Sequence, residues 1–258
     1  MARRPDGPPP PPAVQRIRLR YAKRGRLRFS SHRDFQRALE RALRRAGVPM
    51  AYSAGFNPHP KISYANAAST GAASEAEYVE LAVTERCDPE RVRAVLDEGL
   101  PHGLDIVDAV EVTTSGALAD RLEASEWTIE LPGVDEATAG AAVAAYLASD
   151  RVEVQRTTKN GVRTFDTRAS VASLTLAARR PEASEGPCAI LRVVVRHSDA
   201  DNALPSVRPD DVINGLRLVA DLAPPVTPAV TRVAQGPLDA DALTVGDPLA
   251  PDRAVTAG

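Results

Sequence analysis

In the segment RIRLRY (16–21), Ile17, Leu19 and Tyr21 alternate with Arg16, Arg18 and Arg20. A period of two predicts a strand with one buried face and one exposed, basic face. AKRG then predicts a turn, and RLRF (26–29) resumes the alternation, which places Phe29 with Tyr21 in the core. The period changes next. Phe35, Ala38, Leu39, Ala42, Leu43 and Ala46 recur at helical spacing, with arginines on the remaining faces. Ser31, with Asp34 three residues on, predicts the N-cap, and Gly47 and Pro49 predict the end. Strands follow at 61–68 and 77–83. Asp88-Pro89 opens a helix to about residue 98, and 104–112 reads as a closing strand.

The second half repeats this order. Residues 126–131 alternate around Trp127, Ile129 and Leu131, and 136–149 form an Ala-rich helix. A hairpin is centred on Asn160-Gly161. VASLTLAA, CAILRVVVRH and AVTRVAQG read as strands, with a helix over 208–218. The predicted class is α+β: two ferredoxin-like (β-α-β-β-α-β) units in tandem, with antiparallel sheets and helices on one face. The expected divisions are a disordered Pro-rich tail (1–14), a basic unit (15–113), a second unit with an inserted hairpin (124–236), and a disordered tail (237–258).

Charge changes the picture more than composition does. Residues 1–61 hold 15 Lys/Arg against 3 Asp/Glu, while the remainder holds 17 against 31. Such a split predicts a polyanion-facing region and an acidic remainder that shapes a groove or docks a protein. With 43 % apolar but only 4 % aromatic residues, the core is built from Ala, Val and Leu. Cys87 and Cys188 are far apart, and no CxxC spacing exists for an iron–sulfur cluster or thiolate zinc. No metal or cofactor site is predicted. No apolar run is long enough to span a bilayer, and the N-terminus lacks a signal-type apolar region, so the expected address is the cytoplasm.

The segment YSAGFNPHPKIS (52–63) is the densest in special residues. Gly55 permits positive φ, and Pro58 and Pro60 push Asn57 and His59 toward extended backbone. A stiff loop with a low ordering cost suits ligand binding. Arg26, Arg28, Arg33, Arg37, Arg41 and Lys61 are the expected phosphate contacts, and Asn57 and His59 would fix orientation. The reading requires these cations to gather on one surface beside the loop. A catalytic alternative is a metal-independent endoribonuclease or RNA-modifying enzyme using His32 or His59. A protein-binding scaffold is a third.

The segments FSSHRD (29–34), the arginine-bearing helix, YSAGFNPHPKIS and SEAEY (74–78), with TTKNGVRTFDTR more weakly, resemble the radical-SAM-linked bacterial domain family of unknown function. The resemblance covers most of 16–235. It implies the standalone form found in high-GC Gram-positive bacteria, acting with a radical-SAM protein. The family's second-half D-I-R-P-like stretch here reads Asp166-Thr167-Arg168-Ala169, a departure from the pattern. The leading expectation is a non-catalytic accessory protein that binds RNA or another phosphate-rich ligand. Any radical chemistry would come from a radical-SAM protein supplied as a separate chain.

Overall fold

The structure, a computed structural model, describes residues 10–159, 161–178, 186–198 and 203–254. The chain is mixed α+β with mainly antiparallel strands. It divides into unit 1 (residues 1–119 and 248–258) and unit 2 (residues 120–247).

Unit 1 runs β1 (Gln15–Lys23), a 3-10 turn (Gly25–Phe29), α1 (His32–Arg45), β2 (Ile62–Ala65), β3 (Ala73–Val83), α2 (Pro89–Gly99) and β4 (Leu104–Glu111). Its strands pair antiparallel in the order β4-β1-β3-β2. The alternation of β1 sets the register. Ile17 pairs with Leu81 and Leu19 with Val79, and these residues join Phe35, Leu39, Val92 and Leu96 in one core. Both helices therefore cover the same sheet face. Tyr21 stacks on Phe35 with ring centroids 3.8 Å apart. The Ser31 hydroxyl accepts from the Asp34 N–H at 3.2 Å, and the Asp34 carboxylate accepts from the Ser31 N–H at 3.1 Å. This reciprocal cap starts α1 and holds the Asp34 carboxyl below its usual pKa.

Two expectations fail within unit 1. RLRF is not a strand. Gly25 takes φ +54° and the chain coils into the 3-10 turn, which directs Leu27 to the core and leaves Phe29 exposed. Arg18 is not exposed either, since the sheet face opposite the helices is covered at that point. Its side chain is 0 % accessible and pairs with Glu80 at 2.9 Å, Asp252 at 2.7 Å and the Gly116 carbonyl at 2.9 Å.

Unit 2 contains β5 (Ala124–Pro132), α3 (Glu136–Ala148), β6 (Glu153–Thr158), β7 (Gly161–Asp166), β8 (Val171–Ala177), β9 (Cys188–Arg196), α4 (Pro209–Ala220), β10 (Ala229–Gly236), β11 (Leu238–Asp239) and β12 (Thr244–Val245). The main strands are ordered β10-β5-β9-β8, all antiparallel. β6 and β7 pair as the expected hairpin, although Asn160 of its turn lies outside the described residues. Tyr146 on α3 is fully buried and donates its hydroxyl to Thr167 at 2.9 Å, joining helix to loop.

The expected disordered tail is corrected over residues 237–254. β11 and β12 pair in unit 2, and α5 (Ala250–Ala254) belongs to unit 1. Leu249 and Asp252 are both fully buried, and Asp252 supplies the carboxylate that Arg18 needs. The expected tail over 1–9 lies outside the described residues. Val14 already donates its N–H to the Val83 carbonyl. No helix among the described residues is long and apolar enough to cross a membrane.

Candidate functional site

The basic residues of unit 1 fall into two groups. In the first, carboxylates answer the charge. Arg16 and Arg18 share Glu80, Arg18 also holds Asp252, and Arg24 pairs with Glu75 and Asp105. The second group holds the expected phosphate contacts Arg26, Arg28, Arg33, Arg37, Arg41 and Lys61, together with Arg20, Arg44, Arg45 and Arg91. Among the described residues, none of these has a carboxylate within 4.0 Å. All are exposed except Arg20 and Arg28, which are half-buried. The expectation that the basic residues of the opening segment all gather on one surface is thus corrected for the β1 arginines. Arg16, Arg18 and Arg20 lie on the sheet face away from the helices, whereas Arg33, Arg37 and Arg41 lie on the outer side of α1.

The arginines of α1 repel one another, although Arg37 also attracts the Asp34 carboxylate. Arg33, Arg37 and Arg41 are four residues apart on α1, so neighbouring like charges cost roughly 0.2–0.5 kcal/mol per pair. Arg33 also sits in the first turn, at the positive end of the helix dipole. The apolar stripe of α1 supplies its packing without them. Arg28 adds a buried Nε–H without a hydrogen-bond partner among the described residues, and its guanidinium lies 4.8 Å over the Phe29 ring.

The proline-braced loop closes at its neck. Ser53 N–H donates to the His59 carbonyl at 2.9 Å, and His59 N–H donates to the Ser53 hydroxyl at 3.0 Å. Lys61 N–H donates to Ala51, and Ala82 N–H donates to Lys61, fastening the base to β3. Gly55 takes φ +135°, a value that a side chain would strain. Asn57 stands exposed beside it. Clefts flank the loop, and His59 and Pro60 line both. One, of about 390 Å³, is lined by Arg16, Ser53, Lys61, Ser63 and Glu80 together with Ile62 and Ala82. The other, of about 440 Å³, has an apolar floor of Leu43, Val48, Met50 and Pro58, with Glu40, Arg44 and Tyr52 around it. Lys61 therefore joins His59 in the first cleft, while Arg26 and Arg28 stay on the 3-10 turn.

Sequence reasoning missed Ser53, Ser63 and Glu80 as cleft residues. Ser53 and Ser63 belong to the segment itself, and the β2–β3 register, with Ser63 opposite Glu80, brings Glu80 to it. The exposure of Phe29 and Phe56 was missed as well.

His32 and His59, the histidines of the catalytic alternative, are both exposed. The His32 ring packs edge-on against Tyr64, with centroids 4.7 Å apart. Burial and the nearby Glu40 charge push the Tyr64 phenol well up. Among the described residues, neither the His32 nor the His59 ring has a hydrogen-bonded side-chain partner. In unit 2, His197 is held at both ring nitrogens. Its Nδ1 lies 2.7 Å from the Leu122 carbonyl and its Nε2 lies 3.0 Å from the Ser125 hydroxyl. Burial holds its pKa below the ordinary 6.5. Among the described residues, no group of three or more His, Cys, Asp or Glu is placed to hold a metal.

Residues 16–205 match the family described as an uncharacterized protein conserved in bacteria (DUF2344). No curated protein matches the chain. A crystal structure of an unknown protein from Galdieria sulphuraria is similar over 85 % of this chain and 98 % of that one. It is 13 % identical with a TM-score of 0.23, a likeness that carries no argument.

Proposed function

This chain belongs to the DUF2344 family of bacterial proteins, and on that premise we propose that it binds RNA or a similarly phosphate-rich ligand without catalysing a reaction. The observation that carries this reading is that, among the described residues, the six expected phosphate contacts on unit 1 have no carboxylate within 4.0 Å. Close by in the sequence, Arg16, Arg18 and Arg24 are neutralised by acidic residues. The fold therefore has the means to pair arginines and leaves this group unpaired. A surplus of that kind at the surface is matched by an external polyanion.

Arg26, Arg28, Arg33, Arg37 and Arg41 contact phosphate in this reading. Lys61, Asn57 and His59 act from the loop, which loses little freedom on binding because its neck is already closed. The strand orders β4-β1-β3-β2 and β10-β5-β9-β8 support reading both units as ferredoxin-like. The likeness of FSSHRD and YSAGFNPHPKIS to radical-SAM-linked domains supports a role as partner to a radical-SAM protein on a separate chain in the cytoplasm.

Crosslinking the protein in its native host, then identifying the attached RNA and neighbouring proteins, tests this. The expected result is enriched RNA with contacts on 26–41 and 57–61, and a radical-SAM protein among the neighbours. Absence of RNA enrichment overturns the binding reading. Absence of the enzyme removes only the partnership.

A further inference from the structure

We propose that the ligand of these unpaired cations is single-stranded RNA, and that Phe29 and Phe56 are stacking platforms for its unpaired bases. This rests on the anion-binding reading above and narrows it to one class of nucleic acid.

The chain has only four phenylalanines. Phe35 and Phe165 are buried, one in each unit. Phe29 and Phe56 are 59 % and 65 % exposed. Both stand on segments that carry the unanswered cations. Phe29 follows Arg26 and Arg28, and Phe56 precedes Asn57, His59 and Lys61. A lone exposed aromatic is ordinary. Two out of four, each within a few residues of unpaired positive charge, are a pattern.

The backbone is fastened at the 3-10 turn that carries Phe29 and at the neck of the loop that carries Phe56. In the 3-10 turn, Ser30 N–H donates to the Leu27 carbonyl at 2.9 Å and Gly71 N–H donates to the Arg28 carbonyl at 2.8 Å. Leu27 anchors the turn in the core, so Phe29 is held outward. The Arg28 guanidinium lies over the Phe29 ring, yet the ring remains more than half exposed. Phe56 stands at the crown of a loop whose neck is closed by the Ser53–His59 bonds. Aromatics beside cations are the combination that binds single strands, because every base has a π-face while the backbone supplies the charge. A duplex hides its base faces in the stack and gives such rings nothing to meet.

The test is binding of a short labelled oligo(A), an abasic oligonucleotide of equal length and an RNA duplex to the full chain, Phe29→Ala and Phe56→Ala. Oligo(A) is expected to bind more tightly than either competitor. Each variant is expected to weaken oligo(A) binding about 5- to 100-fold and leave the abasic strand unchanged. Equal binding of oligo(A) and abasic strand overturns the stacking inference and keeps the anion reading. So do variants that bind oligo(A) like wild type or lose both ligands equally, the latter marking the rings as structural or as contacts for a protein. If no polyanion binds wild type, the broader reading falls as well.

Discussion

Asp252→Ala removes one carboxylate from the buried face of unit 1, and the structure sets the size of the effect. Asp252 accepts from Arg18 Nη1 at 2.7 Å, the Thr114 hydroxyl at 2.6 Å, and the Thr113 and Thr114 amides at 3.2 Å each. Breaking a buried ion pair by removing one partner costs about 3–5 kcal/mol, because the other charge stays behind in a poor solvent. Arg18 keeps Glu80 and the Gly116 carbonyl, so the lower end, about 3 kcal/mol, is expected. Global denaturation is a blunt readout for a chain of two units. Native-state amide exchange resolves unit 1 by itself. Amides of β1 and β4 should exchange roughly 100-fold faster in Asp252→Ala, while those of β5 and β9 keep their rates. Paired replacement, Arg18→Met with Asp252→Leu, should recover most of the protection, since no charge is then stranded. Exchange in Asp252→Ala within about fivefold of wild type, roughly 1 kcal/mol, would show that Arg18 does not depend on the C-terminal segment.

Two further predictions concern unit 2. His197 has a folded pKa below 6.5 because it is buried, so the unfolded chain takes up its proton first as the solution is acidified. Stability present at neutral pH should fall as pH drops below about 6.5 and level off for this group below its folded pKa. His197→Gln should flatten that slope in denaturation midpoints measured from about pH 7.5 to about 5.5; an unchanged slope refutes the assignment. Gly215→Ala places a Cβ 2.8 Å from Tyr146 Cε2 and 3.1 Å from Val152 Cγ1. Overpacking costs about 1–3 kcal/mol and outweighs the helix-propensity gain of about 1 kcal/mol. The melting temperature should fall, and a rise would show that the Tyr146 ring yields.

What the sequence discloses here is local. α1 was legible because its cap, apolar stripe and terminating Gly47 all fall within 17 residues. The strand at 15–23 was legible for the same reason. Alternation shows which residues share a face, but not what covers that face. Arg18 reads as exposed because its partner Asp252 is 234 residues away. The 3-10 turn was missed because RLRF fits a strand pattern, and the outcome hinges on Gly25 and on Leu27 reaching the core. At the candidate site, the stiffness of the loop follows from its own prolines and glycine. Its clefts do not, since Arg16 and Glu80 reach it only through strand pairing.

The salt dependence of single-stranded RNA binding tests the central claim most directly. On a single strand, each phosphate that a protein neutralises adds about 0.7 to the steepness of the log–log salt plot. Replacing Arg33, Arg37 and Arg41 together with alanine should therefore flatten the slope by about 2, with weaker binding at low salt. A triple variant that keeps the wild-type slope, or a wild-type protein that binds no RNA at low salt, would contradict the account.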